Sequence, residues 1–275
     1  MHRALALADG MFPVKLPRST PDLVRLTVAL IARCVTITQT CAHLAELGRR
    51  GDLMVCVRTL YEHTVMLAWL LGDDGEQRML LWQRYCDQQT LKLNDERARL
   101  GGENAVSADT RAAIASATHK LGSAKMPELP DRAMQADREW ADRLGIDPRH
   151  RSSWSLRHIY SVVFRVGSAM AHPTLAGLEL VTEKRTDEVT ISIEPPGLAH
   201  EALLPVPVLI GTTLAMSSSV FQKPGADEIN GHLDWLLTRI QIHPRERFRC
   251  EFDAKYPKAT AKLDRDWQTL PRSDL

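Results

Sequence analysis

Apolar side chains recur at three- and four-residue steps through most of the first 175 positions, a period that predicts helices. Leu23, Leu26, Leu30, Ile37, Cys41 and Leu44 mark one face of a long helix that follows Pro21 and Asp22 and stops at Gly48. After the turn "GRRGD", with Asp52 as the expected N-cap, "LMVCVRTLYEHTVMLAWLLG" is apolar around most of its circumference, as a helix at the centre of a bundle would be. A third helix fits "EQRMLLWQRYCDQQTLKLNDERARLG", ending at Gly101 and Gly102. Residues 103–150 are more polar and hold two shorter helical patterns, near 107–121 and 131–144, which read as a cap or a peripheral helical hairpin.

A further helix is expected from about Ser153 to Ala171, because Pro173 pushes His172 out of helical geometry. The period then changes. Val189, Ile191 and Ile193 alternate with Thr190, Ser192 and Glu194, which predicts a small β-hairpin within about 178–195. Pro207 can open a helix through Phe221, Asp227 can cap one over 228–242, and residues 243–275 read as a charged, loosely structured tail. The expected fold is therefore mainly α: one domain over 1–275, with a multi-helix bundle at about 22–175, a β-hairpin insertion and C-terminal helices at about 203–242.

Composition narrows the partners more than the fold. The 275 residues are 44% hydrophobic and 25% charged, and 35 Lys and Arg nearly balance 34 Asp and Glu. Bulk charge therefore draws the chain to neither nucleic acid nor an anionic membrane, and any such partner must be held by a local patch. The five cysteines, Cys34, Cys41, Cys56, Cys86 and Cys250, form no CxxC pair, so reduced thiols and a cytoplasmic location are expected. The first residues lack a basic leader, and the apolar run "VLIGTTLAM" at 208–216 is well short of the ~20 residues a spanning helix needs, so no membrane partner is expected.

The candidate chemistry sits in "YSVVFRVGSAMAHPTLAG", residues 160–177. On an ideal helix His158, Ser161, Arg165, Ser168 and His172 form one polar stripe, with Arg165 and His172 roughly 10 Å apart along the axis. A His titrating near neutrality can move the proton of an RNA 2′-hydroxyl or of a leaving oxygen, and an Arg can stabilise the added charge on phosphorus. Ser168 can orient either group. On the second helix Arg58 and Glu62 lie one turn apart, and Glu62 can pair with Arg58, Arg165 or His172. The locally basic "RHRSSWSLRH", with Trp154, Arg157 and His158, is a weaker candidate for touching phosphates or stacking on a base. The competing reading makes all of these a structural polar network. His158 and His172 stand about 21 Å apart on an ideal helix, too far to share a metal, and no phosphate loop or HExxH pattern occurs; neither metal nor cofactor is expected.

Two resemblances bear on these residues. "VCVRTLYEHTVMLAWLL" at 55–71 with "YSVVFRVGSAMAHPTLAGLE" at 160–179 resembles the bacterial domain-of-unknown-function 5677 family over about residues 22–180. That family pairs an R-x-L-x-E helix with a later Tyr, Ser and His-Pro or His-Ser segment, and Arg58, Glu62, Tyr160, Ser168 and His172 match the pattern. Arg165 to His172 also resembles the R-x4-6-H signature of HEPN ribonucleases, with Val166 standing where a polar residue is usual. The HEPN likeness implies a helical homodimer that cleaves RNA without a metal, in a toxin or phage-defence setting where a protein antitoxin or defence partner is expected. The alternative is a non-catalytic dimerisation, interaction or nucleotide-sensing module.

Overall fold

The computed structural model describes residues 14–102, 106–120, 122–146, 148, 151–171, 182–184, 189–191 and 205–221, and these are mainly helical. Helix α1, Asp22–Glu46, hands over to α2, Arg50–Leu70, through a tight turn at Gly48. Gly48 adopts φ +70°, a left-handed conformation open to glycine, and lets the amides of Gly48 and Arg49 reach back to the carbonyls of Ala45 and Leu44. The turn is so short that α2 begins at Arg50. Asp52 is therefore not the N-cap expected from the sequence but lies inside the first turn, where its charge suits the positive end of the helix.

Helix α2 is the axis of the molecule. Leu53, Met54, Val57, Leu60, Tyr61, Thr64, Val65 and Leu67 to Leu70 are all buried, which accounts for its apolar circumference. Its open stripe is wide and carries Val55, Cys56, Arg58, Thr59, Glu62, His63 and Met66, all half-buried. Helix α3, Gly75–Arg99, leaves most of its surface in solvent, and only Gly75 and Asn94 are buried. Helices α4, Ala108–Lys120, and α5, Leu129–Arg143, follow.

The polar stretch expected to form a peripheral hairpin divides in two. Helix α5 belongs to the core: Ala133, Ala136, Trp140 and Ala141 are buried, and the Trp140 indole donates to the Ala68 carbonyl at 2.9 Å. Three small alanines let its backbone approach α2, so a helix with many charges still has one face able to pack. A bidentate pair between Arg78 and Glu139 ties α3 to α5, and Arg78 also donates to the Trp69 carbonyl.

The single helix expected over 153–171 is a series of pieces. Arg151–Trp154 (α6) ends at Ser155, Leu156–Ile159 (α7) restarts, Tyr160–Phe164 is π-helical, and Arg165–Ala171 (α8) resumes normal geometry. Two short strands, Thr182–Lys184 (β1) and Val189–Ile191 (β2), pair antiparallel with Glu183 opposite Thr190. Helix α9, Pro205–Phe221, starts two residues before the expected Pro207, because Pro205 at the first position needs no amide partner. It packs on α1 and α2 with residues 208–217 all buried, and Trp154 donates to Thr212 while Thr64 meets Thr213 at 3.2 Å. The helix expected at 228–242, the tail at 243–275 and residues 1–13 lie outside the described residues. Among the described helices α1 is long and apolar enough to cross a membrane by length and composition, and here its apolar face packs on α2 and α9.

Candidate functional site

Arg58 and Glu62 meet on the open stripe of α2, the Arg58 Nε donating to Glu62 Oε1 at 2.9 Å. Both are half-buried, so the pair is partly shielded from solvent without being sealed. The Arg58 guanidinium also lies over the Phe164 ring, 4.5 Å from its centroid. Close approach is possible because Gly167, one turn further on, faces Arg58 and Met54 with no side chain between. The R-x-L-x-E helix and the segment that carries Arg165 are thus in direct contact.

From Phe164 the contacts continue as a ladder. Tyr160 stacks on Phe164 with centroids 4.9 Å apart and planes 17° from parallel, and the exposed Arg157 places its guanidinium 5.4 Å from the Tyr160 centroid. Tyr61 tilts against Tyr160 at 6.3 Å and donates its hydroxyl to the Leu156 carbonyl at 2.8 Å. Cations at both ends of a pair of stacked rings are mutually favourable through the ring faces. The wide turn Tyr160–Phe164 is where this ladder is built, and such turns recur at functional sites.

Asp137 sets the start of that turn. Its carboxylate accepts from the Ser155 hydroxyl, the Leu156 amide and the Arg157 amide at 2.7, 2.7 and 3.0 Å, while Ser155 accepts from the His158 amide. The first three amides of the restarted helix are therefore all satisfied. Burial pushes the Asp137 carboxyl from the usual 3.8 up to about 6, against the opposing pull of those hydrogen bonds and of Arg157. Asp137 was not singled out in the sequence. The signal was its place beside Ala133, Ala136 and Trp140 on the buried face of α5.

The expected polar stripe needs one continuous helix, and that helix is interrupted by a cap at Ser155 and a π-helical turn over Tyr160–Phe164. Ser161 donates to the His158 carbonyl. Ser168 is half-buried next to Gly167. Arg165 opens α8, where only its backbone is described, and His172 lies outside the described residues. Trp154, the candidate for stacking on a base, is 1% exposed and hydrogen-bonded to Thr212; its ring is core packing. Cys34 and Cys41 are free thiols, and burial pushes each up to about 12, so neither is a nucleophile. Among the described residues no group of three His, Cys, Asp or Glu is placed to hold a metal ion.

No curated protein and no solved structure matches the chain. Residues 24–189 match a family described only as one of unknown function, DUF5677, and that span includes the Arg58 and Glu62 pair, Tyr160, Ser168 and His172. With more than half of its length matched, the chain belongs to the DUF5677 family of unknown function.

Proposed function

We propose that the protein is a metal-independent endoribonuclease of HEPN type, a helical bundle with a β-hairpin insertion that acts as a homodimeric toxin or defence effector. The observation that carries this reading is the seating of Arg58, paired with Glu62, against Phe164 and Gly167, on the segment that carries Arg165 and leads to His172. In this reading His172 takes the 2′-hydroxyl proton or protonates the leaving oxygen, and Arg165 stabilises the charge gathering on phosphorus. Glu62, held by Arg58, and Ser168 orient those two groups. Tyr160 and Arg157 supply a stacked, cationic edge along which a single strand can lie, with His158 next to it.

A second reading is favoured by one contact. Arg58 is already satisfied within one subunit by Glu62 and the Phe164 ring, as expected of a structural pair that fixes helix register in a non-catalytic interaction or nucleotide-sensing module. The two readings part at His172. Expression of the wild type is expected to arrest growth and degrade total RNA, and His172→Ala is expected to abolish both while keeping the wild-type melting temperature. RNA degradation that persists in the variant removes the catalytic reading, and a lowered melting temperature without any nuclease activity in the wild type favours the second.

A further inference from the structure

Among the described residues, Arg132 on α5 is the charged side chain with the fewest polar partners for its burial. It is 9% exposed, and its Nε reaches no hydrogen-bond partner. One Nη touches only the Met66 sulfur at 3.5 Å, a weak acceptor, and the guanidinium lies 6.0 Å from the Trp69 ring centroid. Arg78 approaches the same Trp69 ring at 5.6 Å but is met by both oxygens of Glu139 and by a backbone carbonyl. The two arginines sit beside one ring, and a carboxylate was built for only one of them. A buried cation without an acceptor is costly, and in native structures such a group calls for an explanation.

The surroundings of Arg132 indicate what would complete it. Burial lowers its proton affinity, and the acidic groups that oppose this are Glu62 first, then the hydroxyls of Tyr85 and Tyr61. Glu62 is already bonded to Arg58, so among the described residues Arg132 has no carboxylate of its own. Met66, which touches Arg132, lies one turn beyond Glu62 on the open stripe of α2. Tyr85, which also opposes that lowering, is 43% exposed, so solvent reaches this side of the helix pair.

We infer that Arg132 binds a phosphate oxyanion beside Met66, at the open stripe of α2. One guanidinium without a carboxylate matches the single negative charge of a phosphodiester, and its planar fork suits the paired oxygens. The anion-binding claim stands on Arg132 itself. Only the assignment of that anion to an RNA backbone rests on the proposed function, and a free phosphate is the other source of the same chemistry.

The test uses the full chain with His172→Ala, so that RNA survives, and adds Arg132→Met, which keeps an unbranched stem of similar length and removes the charge. Melting temperature is read in inorganic phosphate against chloride at equal ionic strength, and binding of a short single-stranded oligoribonucleotide is read by fluorescence anisotropy. Phosphate stabilises folded proteins in general, so the informative quantity is the difference between the two proteins. Arg132→Met is expected to melt no lower than its parent in chloride and to bind phosphate about 10- to 100-fold more weakly. An equal phosphate response in both proteins overturns the inference, as does a lower melting temperature with that response unchanged. If the oligoribonucleotide loses affinity in parallel with phosphate, the anion is the RNA backbone. If phosphate alone depends on Arg132, the inference holds for a free phosphate and the RNA reading loses support. If His172-dependent RNA cleavage is found while neither anion responds to Arg132, the inference fails and the ribonuclease reading stands.

Discussion

Asp137 is a carboxylate whose ionisation the surrounding protein resists, and its titration is visible in stability. In the unfolded chain it titrates near 4, and in the native protein at about 6. The native state thus holds a proton that the unfolded state has released, so the contribution of Asp137 is full below about pH 4 and declines as pH rises from 4 to 6. A shift of this size corresponds to about 3 kcal/mol between those limits. Asp137→Asn keeps a neutral carbonyl for the Leu156 or Arg157 amide, and it is expected to remove that slope. Urea unfolding of both proteins from pH 4 to 7 checks this: equal slopes would show that Asp137 is not the titrating group. Neither this residue nor Arg132 was legible as a site, because their partners lie in other helices: Ser155 eighteen positions away, Met66 sixty-six. Arg58 with Glu62 was legible for the opposite reason, since a four-residue step on one helix brings two side chains together whatever else the chain does.

The positions of α1 to α5 could be read from their apolar and polar runs together with the turn residues between them. The stretch 151–171 could not. A side chain from α5 caps its middle and a π-helical turn follows, and neither leaves a trace in the local pattern of polar and apolar residues. The role of α5 was missed because the stretch as a whole is polar, although its alanine-rich buried face is sharply divided from its charged one and permits the close approach that packing requires. Gly167 is the point at which the broken helix is pressed onto α2. A Cβ there would stand 2.6 Å from the Arg58 Cβ and 2.9 Å from the Met54 carbonyl oxygen, so backbone as well as side chain must yield. Gly→Ala inside an unobstructed helix stabilises by roughly 1 kcal/mol. Gly167→Ala is expected to reverse that sign and cost about 1–3 kcal/mol by overpacking. Thermal or urea unfolding decides it, and a stabilised variant would mean that α8 and α2 are not in contact at this point.

The family match ends at residue 189, yet the packed interior does not. Helix α9 begins at Pro205 and fills the groove between α1 and α2 with Val206, Val208, Leu209, Ile210, Leu214, Ala215 and Met216, all at most 2% exposed. Its threonines also complete polar groups supplied from within the matched span: Thr212 accepts from the Trp154 indole, and Thr213 meets the Thr64 hydroxyl. Removing α9 would open the buried faces of two helices and leave the Trp154 N–H without its acceptor, a loss larger than the few kcal/mol by which domains are ordinarily stable. A chain ending at residue 200 retains every residue of the family match, and it is nevertheless expected to lack a cooperative thermal transition and to bind a hydrophobic dye, where the full chain unfolds in one step. A milder change separates packing from chain length. Leu209→Ala in the full chain should cost about 2–5 kcal/mol, the range for a fully buried leucine whose site cannot collapse. If the shortened chain instead melts cooperatively at the temperature of the full protein, then α9 is an appendage, and the helices of the matched span bury their own faces without it.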